Sequence, residues 1–272
     1  MTSFTLNWFG MAVHDVPAAT DFYSKKLGIH SWQDEDKGLW RYFETRRMTF
    51  ELFKAHSSRV EAKGWGNGQA FRPAILVSDL SAAVSRLQDQ GVLLSRDISE
   101  SGHQIEITGP EEIRWSLMDG SDIEIDWAHP VIAGIELKAA NPEGQKDFYT
   151  QVLGMTLEHK TDQVMHLTQP NGEAWLRIQA GGSSNSPQAA INSPKPAFFF
   201  PIWISYETKD IKQANAWLQQ QNVTILHPLT YHEDWHGTDI IIADVDGNAI
   251  QVVQYEKPDD KGGTGNTNLN VE

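Results

Sequence analysis

The sequence predicts an α+β chain made of four βαβββ units in two pseudo-equivalent halves, and three ordered echoes predict it. Ala18-Ala19-Thr20-Asp21-Phe22-Tyr23-Ser24-Lys25-Lys26-Leu27-Gly28-Ile29 returns 126 positions later as Gly144-Gln145-Lys146-Asp147-Phe148-Tyr149-Thr150-Gln151-Val152-Leu153-Gly154-Met155. Asp79-Leu80 to Gly91-Val92 returns as Asp210-Ile211 to Asn222-Val223 at an offset of 131, and Asp119-Gly120 to Ile125 as Asp246-Gly247 to Val252 at an offset of 127. A repeat of near-constant period says more about architecture than any single residue does.

Each element follows from local chemistry. Leu6 to Val13 is a mostly apolar run. Pro17 then opens an amphipathic stretch that Leu27-Gly28 stops, so a strand is followed by a helix. Ile29 to Gln33, Leu39 to Glu44 and Met48 to Phe53 are short β-prone runs between polar turns. The order recurs with a strand over Pro73 to Val77, a helix from Ser81 to Gln90 ended by Gly91, and closing strands around Ile113 to Leu117 and Ile123 to Trp127. The second half repeats it over Ile132 to Gln179 and Phe199 to Gln254. Helices are expected near 17 to 27, 80 to 90, 142 to 153 and 209 to 221. Residues 181 to 197 read as a loop, and 257 to 272, rich in Gly, Asn and Asp, as a disordered tail.

Composition narrows the function. The 272 residues suit two domains of about 125 residues each. A net charge of −14 disfavours nucleic acid or an anionic membrane surface as partner. No run of 18 apolar residues and no signal-peptide pattern is present, which points to a cytoplasmic protein. With no cysteine in the chain, disulfides, thiolate zinc sites and cysteine nucleophiles are excluded.

The pattern Asp15-Val16-Pro17…Phe22-Tyr23…Leu27-Gly28, found twice, with a last strand after Asp-Gly, resembles the vicinal oxygen chelate superfamily. That group includes glyoxalase I, bleomycin-binding proteins and extradiol dioxygenases. The resemblance covers residues 4 to 255. It implies two glyoxalase-like, cup-shaped domains, 1–129 and 130–256, each with two βαβββ units. It also implies, for the enzymes, a divalent metal held by the first and last strands of both units in a cup. Carried onto this chain, the first-half ligand positions fall on Trp8, Glu51, Arg72 and Glu124, and the second-half ones on Gly134, Arg177, Trp203 and Gln251. A guanidinium repels a divalent ion, and few anionic donors remain, so no metal and no other cofactor is expected.

Three readings of the first set stay open. Arg72 bridges Glu51 and Glu124 in place of the metal, or all three are ordinary exposed strand residues, or the two carboxylates hold a metal weakly. In the second set Trp203, Gln251, Arg177 and Trp175, which shares a strand face with Arg177, form a floor for a planar or anionic small molecule. The expected ligand-binding residues are therefore Trp8, Glu51, Arg72, Glu124, Trp175, Arg177, Trp203 and Gln251. The expected function is metal-free binding of a small organic molecule by a monomer or homodimer. The alternative is a lyase, isomerase or dioxygenase that uses Glu51 or Glu124 as catalytic base, with or without a weakly held metal. His232-Glu233-Asp234-Trp235-His236 also fits the H-E-x-x-H zinc-peptidase pattern, which requires a helix. Among the other histidines, His166 is the one placed to face a cup.

Overall fold

The computed structural model describes residues 3–29, 31–32, 41–43, 48–55, 69–95, 103–120, 130–170, 174–184 and 200–256. Unit 1 runs β1 (Phe4–Val13), a helix (Val16–Asp21) prolonged by a π-helical turn (Phe22–Lys26), β2 (Ser31–Trp32), β3 (Arg41–Phe43) and β4 (Thr49–Lys54). Unit 2 runs β5 (Phe71–Val77), a helix (Leu80–Asp89), β6 (Leu93–Leu94), β7 (Gln104–Thr108) and β8 (Arg114–Asp119). Unit 3 runs β9 (Val131–Ala139), a helix (Pro142–Asp147) with its π-helical turn (Phe148–Val152), β10 (Thr156–Lys160), β11 (Val164–Thr168) and β12 (Trp175–Ala180). Unit 4 runs β13 (Ile202–Thr208), a helix (Ile211–Gln220), β14 (Ile225–His232), β15 (Gly237–Ala243) and β16 (Ala249–Tyr255). The four expected βαβββ units and their helices are present.

The helices begin for the same reason in every unit. Asp15, Asp79, Asn141 and Asp210 each accept a hydrogen bond from the backbone N–H three residues on, at 2.8–3.0 Å, which satisfies one orphan donor of the first turn. They end alike too. Gly28 and Gly154, at φ +72° and +75°, take the left-handed turn that ends each π-helical turn.

Hydrogen bonding joins the units crosswise. One eight-stranded sheet has the order β14-β15-β16-β13-β1-β4-β3-β2 and the other β10-β11-β12-β9-β5-β8-β7-β6. The first, sheet A, joins unit 1 to unit 4 through the antiparallel pair β1/β13, and the second, sheet B, joins unit 2 to unit 3 through β5/β9. The ligand sets grouped above by chain half are thereby exchanged. Trp8 and Glu51 share a sheet with Trp203 and Gln251, and Arg72 shares one with Gly134 and Arg177. Strand alternation decides which face a residue occupies, and it leaves the partner strand undetermined.

A second correction concerns unit 2. The strand that pairs in parallel with β5 is β8, Arg114–Asp119, which precedes Asp119-Gly120. The expected strand over Ile123 to Trp127, with Glu124, lies outside the described residues. The structural counterpart of the Asp246-Gly247 turn is the turn at Pro110–Glu112, where Glu111 and Glu112 adopt φ of 60° and 64°. Both turns use a carboxylate in the same way. Glu111 accepts from the backbone N–H groups of His14 and Asp15, and Asp246 from those of Ala140 and Asn141, tying each closing strand to the first helix of the neighbouring unit. With that alignment Ser116, rather than Glu124, is the counterpart of Gln251.

The helices cover one face of each sheet. Tyr23, Phe9, Phe50 and Trp115 meet there with ring centroids 5.1–5.8 Å apart, and Trp115 Nε1 donates to the Tyr23 hydroxyl at 3.3 Å. Tyr149 donates from its hydroxyl to Asp244 at 3.3 Å, and burial pushes the Asp244 carboxyl up from 3.8 to about 6. The raised value makes the folded state bind this proton more tightly than the unfolded chain. Its stabilising contribution is thus complete below pH 3.8 and is lost as pH rises through about 6. Relative to Asp244→Asn, the wild type should lose on the order of 3 kcal/mol across that window. Urea unfolding of both proteins at pH 4 and pH 7 checks it; a wild-type-to-variant difference independent of pH would contradict the assignment.

Candidate functional site

The other face of each sheet, free of helices among the described residues, is the candidate cup. On sheet A the apolar lining is Ala12, Phe53, Trp203, Ile241, Ala243 and Ala249, with Trp8 packed against it, and none of these comes from a helix. Trp203 is 1% exposed and lies flat over Gly10, its antiparallel partner on β1, where an added Cβ would stand 2.1 Å from the indole. Phe53 leans on Trp203 at 4.9 Å, and Trp8 stacks on Phe53 at 6.5 Å. The expectation that Trp203 and Gln251 share a floor with Trp175 and Arg177 is corrected by the crosswise pairing. Trp8, Glu51, Trp203 and Gln251 are the set brought together.

Polar groups on this face are aimed by their neighbours. Gln251 donates from Nε2 to Asp239 Oδ2 at 2.6 Å, while Asp239 Oδ1 stands 2.9 Å from His232 Nε2. An ionised carboxylate only accepts, so Asp239 holds the amide with its carbonyl Oε1 turned away. Among the described residues that Oε1 has no hydrogen-bond partner, and neither has the hydroxyl of Ser205, the residue beside Gln251 in register. Ser205 is 0% and Gln251 9% exposed, so both atoms lack solvent as well. Leaving such groups unsatisfied costs about 1–3 kcal/mol each.

The cup of sheet B is an ion-pair network. Glu136, 1% exposed in the middle of β9, accepts from Arg72 Nε at 2.8 Å, pairs with Arg72 Nη2 at 2.7 Å, and accepts from Gln104 Nε2 at 2.9 Å and from the Ser116 hydroxyl. Arg72 also pairs with Glu106. The expected contact of Arg72 with Glu51 is not formed, and Glu124 lies outside the described residues. Glu51 stands on the other sheet, and Glu106 and Glu136 take the two carboxylate roles. Arg177 lies over Trp175 with its guanidinium carbon 5.0 Å from the ring, and Trp175 rests on Gly134. His166 does face this cup, 5.5 Å from Trp175, and burial followed by the charge of Arg177 lowers its pKa.

Neither donor set fits a divalent ion. The sheet A positions supply one carboxylate and one amide beside two tryptophans, and the sheet B positions supply Arg72, Ser116, Gly134 and Arg177. Among the described residues no group of three or more His, Asp or Glu could hold a metal. The peptidase pattern is also overturned. His232 ends β14 and Gly237 opens β15 directly opposite it in a hairpin, with His236 at φ 49° in the turn, so no helix places the two imidazoles together.

Glu136, Ser205, Asp239 and Ser116 were missed. The available signal was one polar residue interrupting an apolar strand, as in Val131–Ala139 and Ile202–Tyr206.

The model of the glyoxalase/bleomycin resistance protein/dioxygenase superfamily matches residues 5–117 and 132–252. The chain belongs to that superfamily. The same architecture appears among solved structures. Glyoxalase I from Zea mays superposes with a TM-score of 0.69 at 15% identity, covering 93% of both chains. A putative dioxygenase from Bacillus subtilis gives a TM-score of 0.68 at 12% identity, covering 94% of this chain and 86% of the other. At such identities these superfamily structures establish the shared fold alone. No curated protein sequence matches the chain. Among the described residues no helix is long and apolar enough to cross a membrane.

Proposed function

We propose that this superfamily member binds a small, flat organic molecule in the cup of sheet A without a metal. The observation that carries the reading is the adjacent pair of buried polar atoms, Ser205 Oγ and Gln251 Oε1, left without partners above an aromatic floor. A ligand that supplies a hydrogen-bond donor to Gln251 and a partner to Ser205 recovers the cost of leaving them bare, and its ring stacks against Trp8 and Phe53. Glu51, Glu207 and Asp239 stand on this face by strand alternation, and among its described residues no Lys or Arg does. The cup therefore favours neutral or cationic molecules bearing N–H groups over anions.

The reading predicts a trade between stability and binding. Ser205→Ala removes a buried hydroxyl without a partner and should stabilise the protein by about 1 kcal/mol, while weakening the ligand by a similar amount. Heteroaromatic amines screened by tryptophan fluorescence and thermal shift provide the ligand. If no such molecule binds, or if Ser205→Ala lowers stability and leaves affinity unchanged, the reading fails.

A further inference from the structure

The geometry points to a second, separate site: the cup of sheet B binds a small carboxylate through Arg177. This guanidinium differs from the one beside it. Arg72 is 11% exposed and is consumed by Glu106 and Glu136. Among the described residues every hydrogen-bond contact of Arg177 falls on a single nitrogen, Nη1, with Glu136 Oε1 and Gln104 Oε1 both at 3.4 Å and the Met118 sulfur at 3.9 Å. These are long contacts, and Glu136 already receives shorter bonds from Arg72, Gln104 and Ser116. Among the described residues the Nε and Nη2 groups of Arg177 donate to nothing.

Those two nitrogens form the side-on edge of the guanidinium, whose parallel N–H groups match the two oxygens of a carboxylate. The edge is preorganised from below, because the guanidinium lies 5.0 Å from the Trp175 ring centre and Trp175 is fixed on Gly134. It is also reachable, since the Arg177 side chain is 22% exposed. Glu158 approaches the neighbouring His166 at 3.9 Å, but it is half exposed and its charge is screened by solvent. An aromatic acid meets both features, with its carboxylate on the Arg177 edge and its ring beside Trp175. The two cups then divide the ligand chemistry, one selecting flat donors and the other anions.

The test uses 4-fluorobenzoate as probe and 4-fluorobenzamide as its uncharged control, followed by fluorine NMR of the ligand with the full chain. Benzoate should bind, benzamide should not, and the affinity should fall with added salt. Arg177→Gln should weaken benzoate at least about tenfold, and Arg177→Lys, which keeps the charge but loses the planar edge, nearly as much. Ser205→Ala, in the other cup, should leave benzoate binding unchanged, which separates this site from the proposed one. Should Arg177→Gln fail to fold, Arg177→Lys decides. Equal binding of acid and amide, unchanged binding in a folded Arg177 variant, or no binding of benzoate at about 10 mM overturns the inference.

Discussion

Arg72→Ala is expected to destabilise the protein by about 3–5 kcal/mol. The substitution leaves the Glu136 carboxylate, 1% exposed, with only Gln104, Ser116 and the distant Arg177 and Gln179 contacts, and takes from Glu106 its principal cation. An uncompensated buried charge costs far more than the pair contributes, so the loss reports the orphaned acid rather than the strength of the bond. The double variant Arg72→Leu/Glu136→Leu separates the two. It should be more stable than the sum of its single variants predicts by at least about 1 kcal/mol, as urea unfolding would show. A loss below about 0.5 kcal/mol for Arg72→Ala would mean that the network is a solvated surface cluster.

Gly10→Ala is expected to abolish ligand binding in the cup of sheet A and to cost about 1–3 kcal/mol of stability. A methyl group there would sit 2.1 Å from the Trp203 ring, which also packs against Phe53. The indole must tilt into the cup, filling the space a ligand would take. Gly134→Ala makes the matching change under Trp175 in the other cup, where the added carbon lies 2.3 Å from the ring. Each variant should silence its own cup and spare the other, read by the flat-donor ligand and by 4-fluorobenzoate respectively. Undiminished binding in Gly10→Ala would show that Trp203 is not the floor.

Much of the fold was legible because it is written in local chemistry. The Asp and Asn caps, the Phe-Tyr pairs and the glycine stops recur at fixed distances, and each acts on its immediate neighbours. A strand around Ile113 to Leu117 was legible in unit 2, but its place as the last strand beside β5 was not. Its turn carries Pro110-Glu111-Glu112 with two non-glycine residues at positive φ, whereas Asp119-Gly120 imitates the Asp246-Gly247 of unit 4 without its structural role. Of the candidate site residues, Trp8, Glu51, Trp203 and Gln251 were placed on the correct strands. Their grouping was misread because nothing local distinguishes β13 from β5 as a partner for β1. Glu136 stayed hidden for a related reason, since a lone acid in Val131–Ala139 declares itself only once Arg72 lies across from it.

The crosswise pairing also sets an order of assembly on a chain that emerges from its N-terminus. β5 and β9 meet across a short interval, with Phe71 opposite Leu137, whereas Phe4 on β1 waits for Thr208 on β13. Closing the longer loop is the slower step, and it cannot start until β13, Ile202–Thr208, has been made. Sheet B is thus free to form as a nested inner module while Phe4–Val13, an apolar strand, keeps an unsatisfied edge until β13 arrives. The protein's exposure to aggregation is concentrated in that interval, and its first strand is the segment a chaperone would have to guard.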